Sequence, residues 1–155
     1  MDVRIEDVRP QMVMGLTRKG TYQMIPQMMG ELFHHLTAKG AQIAGMPTFV
    51  CHETSAEEAK KAGAEGRAVV EVVVPVAGKV EGAGDIKCYV LPGGRMLTAV
   101  HKGPYEECER TYQEMFAWIG TERKRVVGPI RETYLNDPRQ VGPQETLTEI
   151  RIPIG

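Results

Sequence analysis

The sequence has no excess of charge of either sign: 19 Lys and Arg stand against 20 Asp and Glu in 155 residues, with no polybasic run. Nucleic acid and anionic membranes therefore lack the electrostatic footprint they would need, and direct nucleic-acid binding is not expected. Long apolar stretches are missing too. The N-terminal MDVRIEDVRPQMV carries a charge every few residues where a secretory signal would need an unbroken apolar run, so the expected location is cytoplasmic. Cysteine is scarce. Cys51, Cys88 and Cys108 are odd in number and form no CxxC pair, which reads as reduced core residues and not as a disulfide framework. Histidines at zinc-ligand spacing are absent as well: His34 and His35 are adjacent and diverge by about 100° on a helix, while His52 and His101 have no local partner. No metal and no cofactor are implied. Cys51, His52 and Glu53 adjoin along a strand, where neighbours face opposite ways, so a thiol–imidazole dyad does not form locally.

What the sequence does contain is a repeat. Sliding the chain by 83 residues sets Lys19, Gly20 and Tyr22 on Lys102, Gly103 and Tyr105, Glu31 on Glu114, Phe33 on Phe116, and Gly45 on Gly128. Beyond Gly45 the offset falls to 78, so the first copy holds about five extra residues. SAEEAKKAGAEG at 55–66 is their expected place, read as a solvated loop with at most a turn of helix. Glu71 and Pro75 then fall on Glu149 and Pro153. Each unit has extended runs (3–8 and 12–18; 85–91 and 95–101). A helix follows, with apolar residues at Ile25, Met28, Met29, Leu32, Phe33 and Leu36 or at Cys108, Tyr112, Met115, Phe116 and Ile119. Two further strands close each unit. PGGR at 92–95 reads as a hairpin turn, and LNDPRQVGPQET as a longer loop. The expected fold class is α+β: one domain over 1–155, built from two pseudo-twofold strand-helix-strand-strand repeats, about 1–78 and 84–155, with mainly antiparallel sheets around a central groove.

Alternation along the strands places Ile150, Ile152 and Ile154 on one face, opposite Glu149 and Arg151, and Val70, Val72 and Val74 opposite Glu71. Ile130, Glu132 and Tyr134 share a face. If the faces turned away from the helices meet at the middle, a cleft there gathers Glu71, Glu149, Glu132, Tyr134 and Phe49. A desolvated carboxylate among aromatic rings suits a lipophilic cation. The alternative is plainer: a Glu on the outer face of an antiparallel strand is solvated, or paired with Arg131 or Arg151.

The ordered set HKGPYEECERTYQEMFAWI, GPIRETYLNDP and LTEIRIPI resembles the GyrI-like, AraC-type effector-binding superfamily, whose modules also occur in BmrR-type and Rob-type regulators. The resemblance covers essentially the whole chain. It implies an SHS2-like pair of repeats around a multidrug-type pocket with a Glu at its base, a role that motif matching gives to Glu132 with Tyr134 beside it, while Glu149 matches the recurring Glu of the last strand. Because the repeat begins near residue 3 and runs to the C-terminus, a stand-alone module without a DNA reader is expected. Three functions follow. The first is capture of a small cationic or electrophilic aromatic compound by Glu132, Tyr134, Glu149, Glu71, Phe49, Tyr105 and Trp118. The second is hydrolysis of cyclopropane-bearing electrophiles, with Glu132 or Glu149 as general acid or base and Tyr105 as donor. The third is a protein-binding role, on gyrase or a transcription regulator.

Overall fold

The computed structural model describes residues 2–155. Eight strands, β1 (Arg4–Val8), β2 (Gln11–Gly20), β3 (Thr48–Cys51), β4 (Ala68–Pro75), β5 (Ile86–Leu91), β6 (Gly94–Lys102), β7 (Ile130–Tyr134) and β8 (Leu147–Pro153), form one antiparallel sheet curled into a half-barrel. Its order is β1-β6-β8-β7-β3-β4-β2-β5. Exchanging β1 with β5, β2 with β6, β3 with β7 and β4 with β8 returns the same order reversed, which is the signature of a twofold relation between the halves. The helices obey the sequence offset. Helix α1 (Ile25–Ala38) and its counterpart Cys108–Thr121 each have 14 residues and begin 83 positions apart, and each follows a short 3-10 turn, Tyr22–Met24 or Tyr105–Glu107.

Two expectations are corrected. PGGR does not make a hairpin, because β5 pairs with β2 while β6 pairs with β1 and β8. Each half gives its first strand to the far edge of the other half's sheet, and the glycine turn is the crossing point. The segment 55–66, read as a loop, contains helix α2 (Ala56–Ala64), so the helix Cys108–Thr121 is α3. Ser55 Oγ accepts from the Glu58 N–H at 3.1 Å, Glu57 and Glu58 occupy the positive end of the helix, and Ala62 is buried against the first half's core. The Ala-rich composition and this cap overcome the polarity that suggested a loop.

Both long helices lie on one face of the sheet, called here the helix face. Met28, Leu32 and Leu36 of α1 bury against Met14, Leu16, Val70, Val72 and Val74. Met115 and Ile119 of α3 bury against Leu97, Ala99, Ile150 and Ile152, as the alternation of the last strand requires. The opposite, open face has a smaller cluster: Val13, Val50, Val73 and Leu91 beneath Tyr89. Both helices end in left-handed residues that turn the chain out of its last turn, Gly40 at φ 62° and, 83 positions on, Arg123 at φ 55°. Among the described residues no helix is long and apolar enough to cross a membrane.

Candidate functional site

Since α1 covers one half of the sheet and α3 the other, the ground between them lies over the central strands β3 and β7. Their register pairs Phe49 with Glu132, and β8 pairs Ile150 with Glu132. Residues paired across strands share a face. Glu132 therefore lies on the isoleucine face, beneath the helices, with only 6% of its surface exposed.

Two phenols hold it. Tyr105, from the turn that opens α3, donates to Glu132 Oε1, and Tyr112, one helical turn into α3, donates to Oε2. No ion pair reaches this carboxylate among the described residues. Burial pushes the Glu132 pKa above its usual value, with the two tyrosine hydrogen bonds acting against the rise. Burial and then the Glu132 charge drive Tyr105 and Tyr112 upward, so both remain donors. The Tyr134 ring lies 5.9 Å from that of Tyr105, and Tyr105 is 40% exposed, so it is the outer cover of the acid. Tyr112 stacks on Phe116 at 6.2 Å.

A related arrangement occupies the first half. Tyr22, 83 positions before Tyr105, packs its ring on Phe49 at 5.9 Å and donates to Glu53 Oε1 at 2.5 Å; Glu53 Oε2 accepts from the Val69 N–H at 3.1 Å. Glu53 is buried. Cys51 sits between the two cores, its thiol pushed up to about 12 by burial and then by Glu132. Cys108 is likewise raised to about 12 by burial, Glu132 and Glu106. Neither thiol is a nucleophile at neutral pH.

The expected cleft thus divides. Phe49, Glu132 and Tyr134 were expected on the face turned away from the helices; cross-strand pairing of Glu132 with Ile150 puts them on the helix face instead, where Tyr105 joins them. Glu71 and Glu149 do not join them: Glu71 pairs across strands with Val50, and Glu149 with Thr133, both on the open face. There Glu71 accepts from Tyr89 Oη at 2.5 Å and lies 2.7 Å from His52 Nε2. Burial works to raise the Glu71 pKa, but the His52 and Tyr89 hydrogen bonds and the His52 and Arg131 charges outweigh it and the net shift is downward. Glu149 lies 3.5 Å from Arg151 and 3.7 Å from Arg4, the pairing that the plainer alternative foresaw. The sheet stands between these two acids and Glu132 because strand parity, the quantity that set the isoleucines under α3, also sets Glu149 away from it. Trp118 is not among the residues bonded to Glu132. It is half-buried against the second half's core of Leu97, Met115, Ile119, Ile130 and Ile150.

Tyr22, Glu53 and the hydroxyl of Tyr112 were missed as site residues. The repeat itself carried a signal for Tyr22: a tyrosine opens both helices at equivalent positions, which helix entry alone does not demand.

The sequence matches the family model described as GyrI-like small molecule binding domain over residues 1–155. No curated protein matches. Among solved structures the chain is similar to the EcmrR C-terminal domain, at 17% identity over 99% of this chain and 97% of that one, with a TM-score of 0.87. It is also similar to a hydrolase from Listeria innocua (16% identity, 99% and 92% covered, TM-score 0.67). A third, SAV2435 bound to tetraphenylphosphonium, gives 13% identity, 100% and 94% covered, and a TM-score of 0.57.

Proposed function

The chain belongs to the GyrI-like small molecule binding domain family, and from that premise we propose that it captures a lipophilic aromatic cation in the trough between α1 and α3, above Glu132. One observation carries this reading. Glu132 is a buried carboxylate whose two oxygens rest on phenols and which has no ion-pair partner among the described residues. Such a group is costly to leave charged, and an arriving cation supplies the missing partner. Tyr105 swings outward to admit it, and the rings of Tyr105, Tyr134 and Phe49 then receive the apolar surface. Each cation–π contact contributes roughly 0.5–2 kcal/mol, and burial of the ligand's apolar area supplies the larger share at about 25 cal/mol per Å². That SAV2435 has been seen with tetraphenylphosphonium supports a ligand of this class.

Titration with tetraphenylphosphonium, followed by tyrosine fluorescence or calorimetry, tests the proposal. Glu132→Gln should weaken binding about tenfold or more. An affinity equal to that of the parent would overturn it.

A second reading uses the same acid. A carboxyl that holds its proton above the ordinary range can act as general acid toward a strained electrophile while water attacks, and a hydrolase is among the similar structures. Turnover of a cyclopropane-bearing electrophile, abolished by Glu132→Gln, would favour it. Glu149 has no part in this chemistry, being on the other side of the sheet.

A further inference from the structure

The two halves differ beside the trough in one element. Helix α2 exists only in the first half, and it stands next to the ring of Tyr22, so close that a Cβ on Gly63 would lie 3.2 Å from Tyr22 Cε2. Between α2 and the first turn of α3 lies a recess of about 670 Å³. Tyr22, Ala59 and Gly63 line its apolar part, and Glu57, Glu109 and Lys60 its charged part. Small side chains on α2 let it approach the Tyr22 ring, which remains part of the recess wall. At the far tip of that ring its hydroxyl donates to the buried carboxylate of Glu53. The recess therefore presents an aromatic ring with two carboxylates, Glu57 and Glu109, and one ammonium on its rim.

Phe49 and Cys51 succeed one another on the helix face of β3, Glu53 follows just past its end where it bonds Tyr22, and Phe49 is the cross-strand partner of Glu132. Glu53 follows Phe49 by four residues, two of them beyond the end of β3, so the chain from the neighbour of Glu132 to Glu53 spans at most on the order of 13 Å.

We infer that the recess between α2 and α3 over Tyr22 is a second cation subsite, so that the protein receives elongated dications with one charged end over Glu132 and the other over Tyr22. The inference rests on the trough reading above and extends it by naming the ligand class. Both stations have the same construction, a phenol from the turn before a long helix bonded to a buried Glu. They differ in cover: Tyr105 closes the Glu132 station, whereas the Tyr22 station opens directly into the recess. A flexible spacer of apolar methylenes would cross the ground between them, past Cys51, which belongs to both cores. Joining two weak contacts through a spacer of matching length turns the second into an intramolecular event, and the gain appears as affinity.

Calorimetric titration of the full chain with decamethonium, decyltrimethylammonium and tetraphenylphosphonium tests this. Decamethonium should bind about tenfold more tightly than the single-headed decyl analogue, and hexamethonium, too short to span the stations, should lose that advantage. Ala59→Phe fills the recess from a partly exposed helix position, and Glu109→Lys reverses a charge on its rim. Each should remove the decamethonium advantage while leaving tetraphenylphosphonium binding unchanged. Equal affinities for decamethonium and its single-headed analogue, or a decamethonium advantage that survives both variants, would overturn the inference alone. Failure of tetraphenylphosphonium to bind the parent protein would overturn the trough reading, and this inference with it.

Discussion

Replacing Glu132 by Gln should make the protein more stable at neutral pH while making it a poorer binder. An ionised carboxylate buried to this degree carries a desolvation cost of several kcal/mol, against which the two charge-assisted bonds from Tyr105 and Tyr112 return about 1.5–3 kcal/mol each. The raised pKa states the sign of the balance: the burial cost exceeds the return. Gln keeps the shape, accepts from one phenol and donates to the other, and has no charge to desolvate. A gain on the order of 1 kcal/mol follows, or about 2–4 °C in Tm for a chain of this size. The gain depends on pH. In the interval between the unfolded value near 4.5 and the raised folded value, the native state holds more protons than the unfolded chain, so parental stability falls as pH rises. Below that interval both proteins carry a neutral side chain and the difference vanishes; above it the full gain is present. Urea unfolding of parent and variant at several pH values between 3.5 and 8 reads it directly. A Gln variant less stable than the parent at pH 8, or a difference independent of pH, would refute the account of Glu132 as a desolvated acid short of a partner.

Other consequences are as specific. Gly15→Ala would place a Cβ 2.0 Å from Tyr89 Oη, because Tyr89 reaches across β2 to Glu71 over that glycine; a loss of at least about 2 kcal/mol is expected in denaturant unfolding, relieved when Tyr89→Ala is added. Arg123→Gly should raise Tm, by about 1 kcal/mol of stability, since Arg123 holds φ 55° at the end of α3 where its counterpart on α1 is Gly40. On the open face His52 is raised, chiefly by its bond to Glu71, and Glu71 is lowered. The His52 contribution fades as pH climbs through its raised pKa and the Glu71 contribution as pH falls through its lowered one. The stability advantage of the parent over His52→Gln in melts should accordingly be greatest between about pH 4.5 and 6.5.

The repeat was legible because each half has a core of its own, and a core fixes periodicity. Leu32 and Met115, Val72 and Ile150 kept their phase since any slip would have turned them to water. Strand exchange was not legible. Nothing in PGGR distinguishes a turn that folds β6 back on β5 from one that sends it to the far edge; that choice is made by β1 and β8, which offer β6 two partners at once. The site was half legible for a related reason. Parity along each strand could be read, and it put Glu132 with Ile130 and apart from Arg131. Which parity faces the trough depended on β7 lying beside β3, and that neighbour relation is written in no local pattern. Glu132, Tyr134 and Phe49 do share a face, but alternation was read as setting them away from the helices together with Glu71 and Glu149; those two acids do lie on that open face, and the other three lie on the opposite one.

Phe49 and Glu132 are 83 positions apart in the repeat and are also directly paired across β3 and β7, so the pseudo-twofold axis passes through this one pair. An axis position is the place where duplicated halves confront their own residue. Two glutamates there would lie about 5 Å apart in a dry site, where one must keep its proton; two phenylalanines would leave no charge at all. Divergence of the copies at this position therefore produced a single acid backed by a ring, and Phe49→Glu tests that reasoning. It removes a side chain only 3% exposed, which by analogy with large-to-small core changes costs about 3 kcal/mol or more, and it adds a second carboxyl that cannot ionise beside the first. Stability should fall by that amount at pH 7 and recover in part on acidification, while tetraphenylphosphonium affinity should not rise with the added acid. A variant as stable as the parent at pH 7, binding the cation more tightly, would show that the axis tolerates two charges and that the asymmetry of the pair has no electrostatic cause.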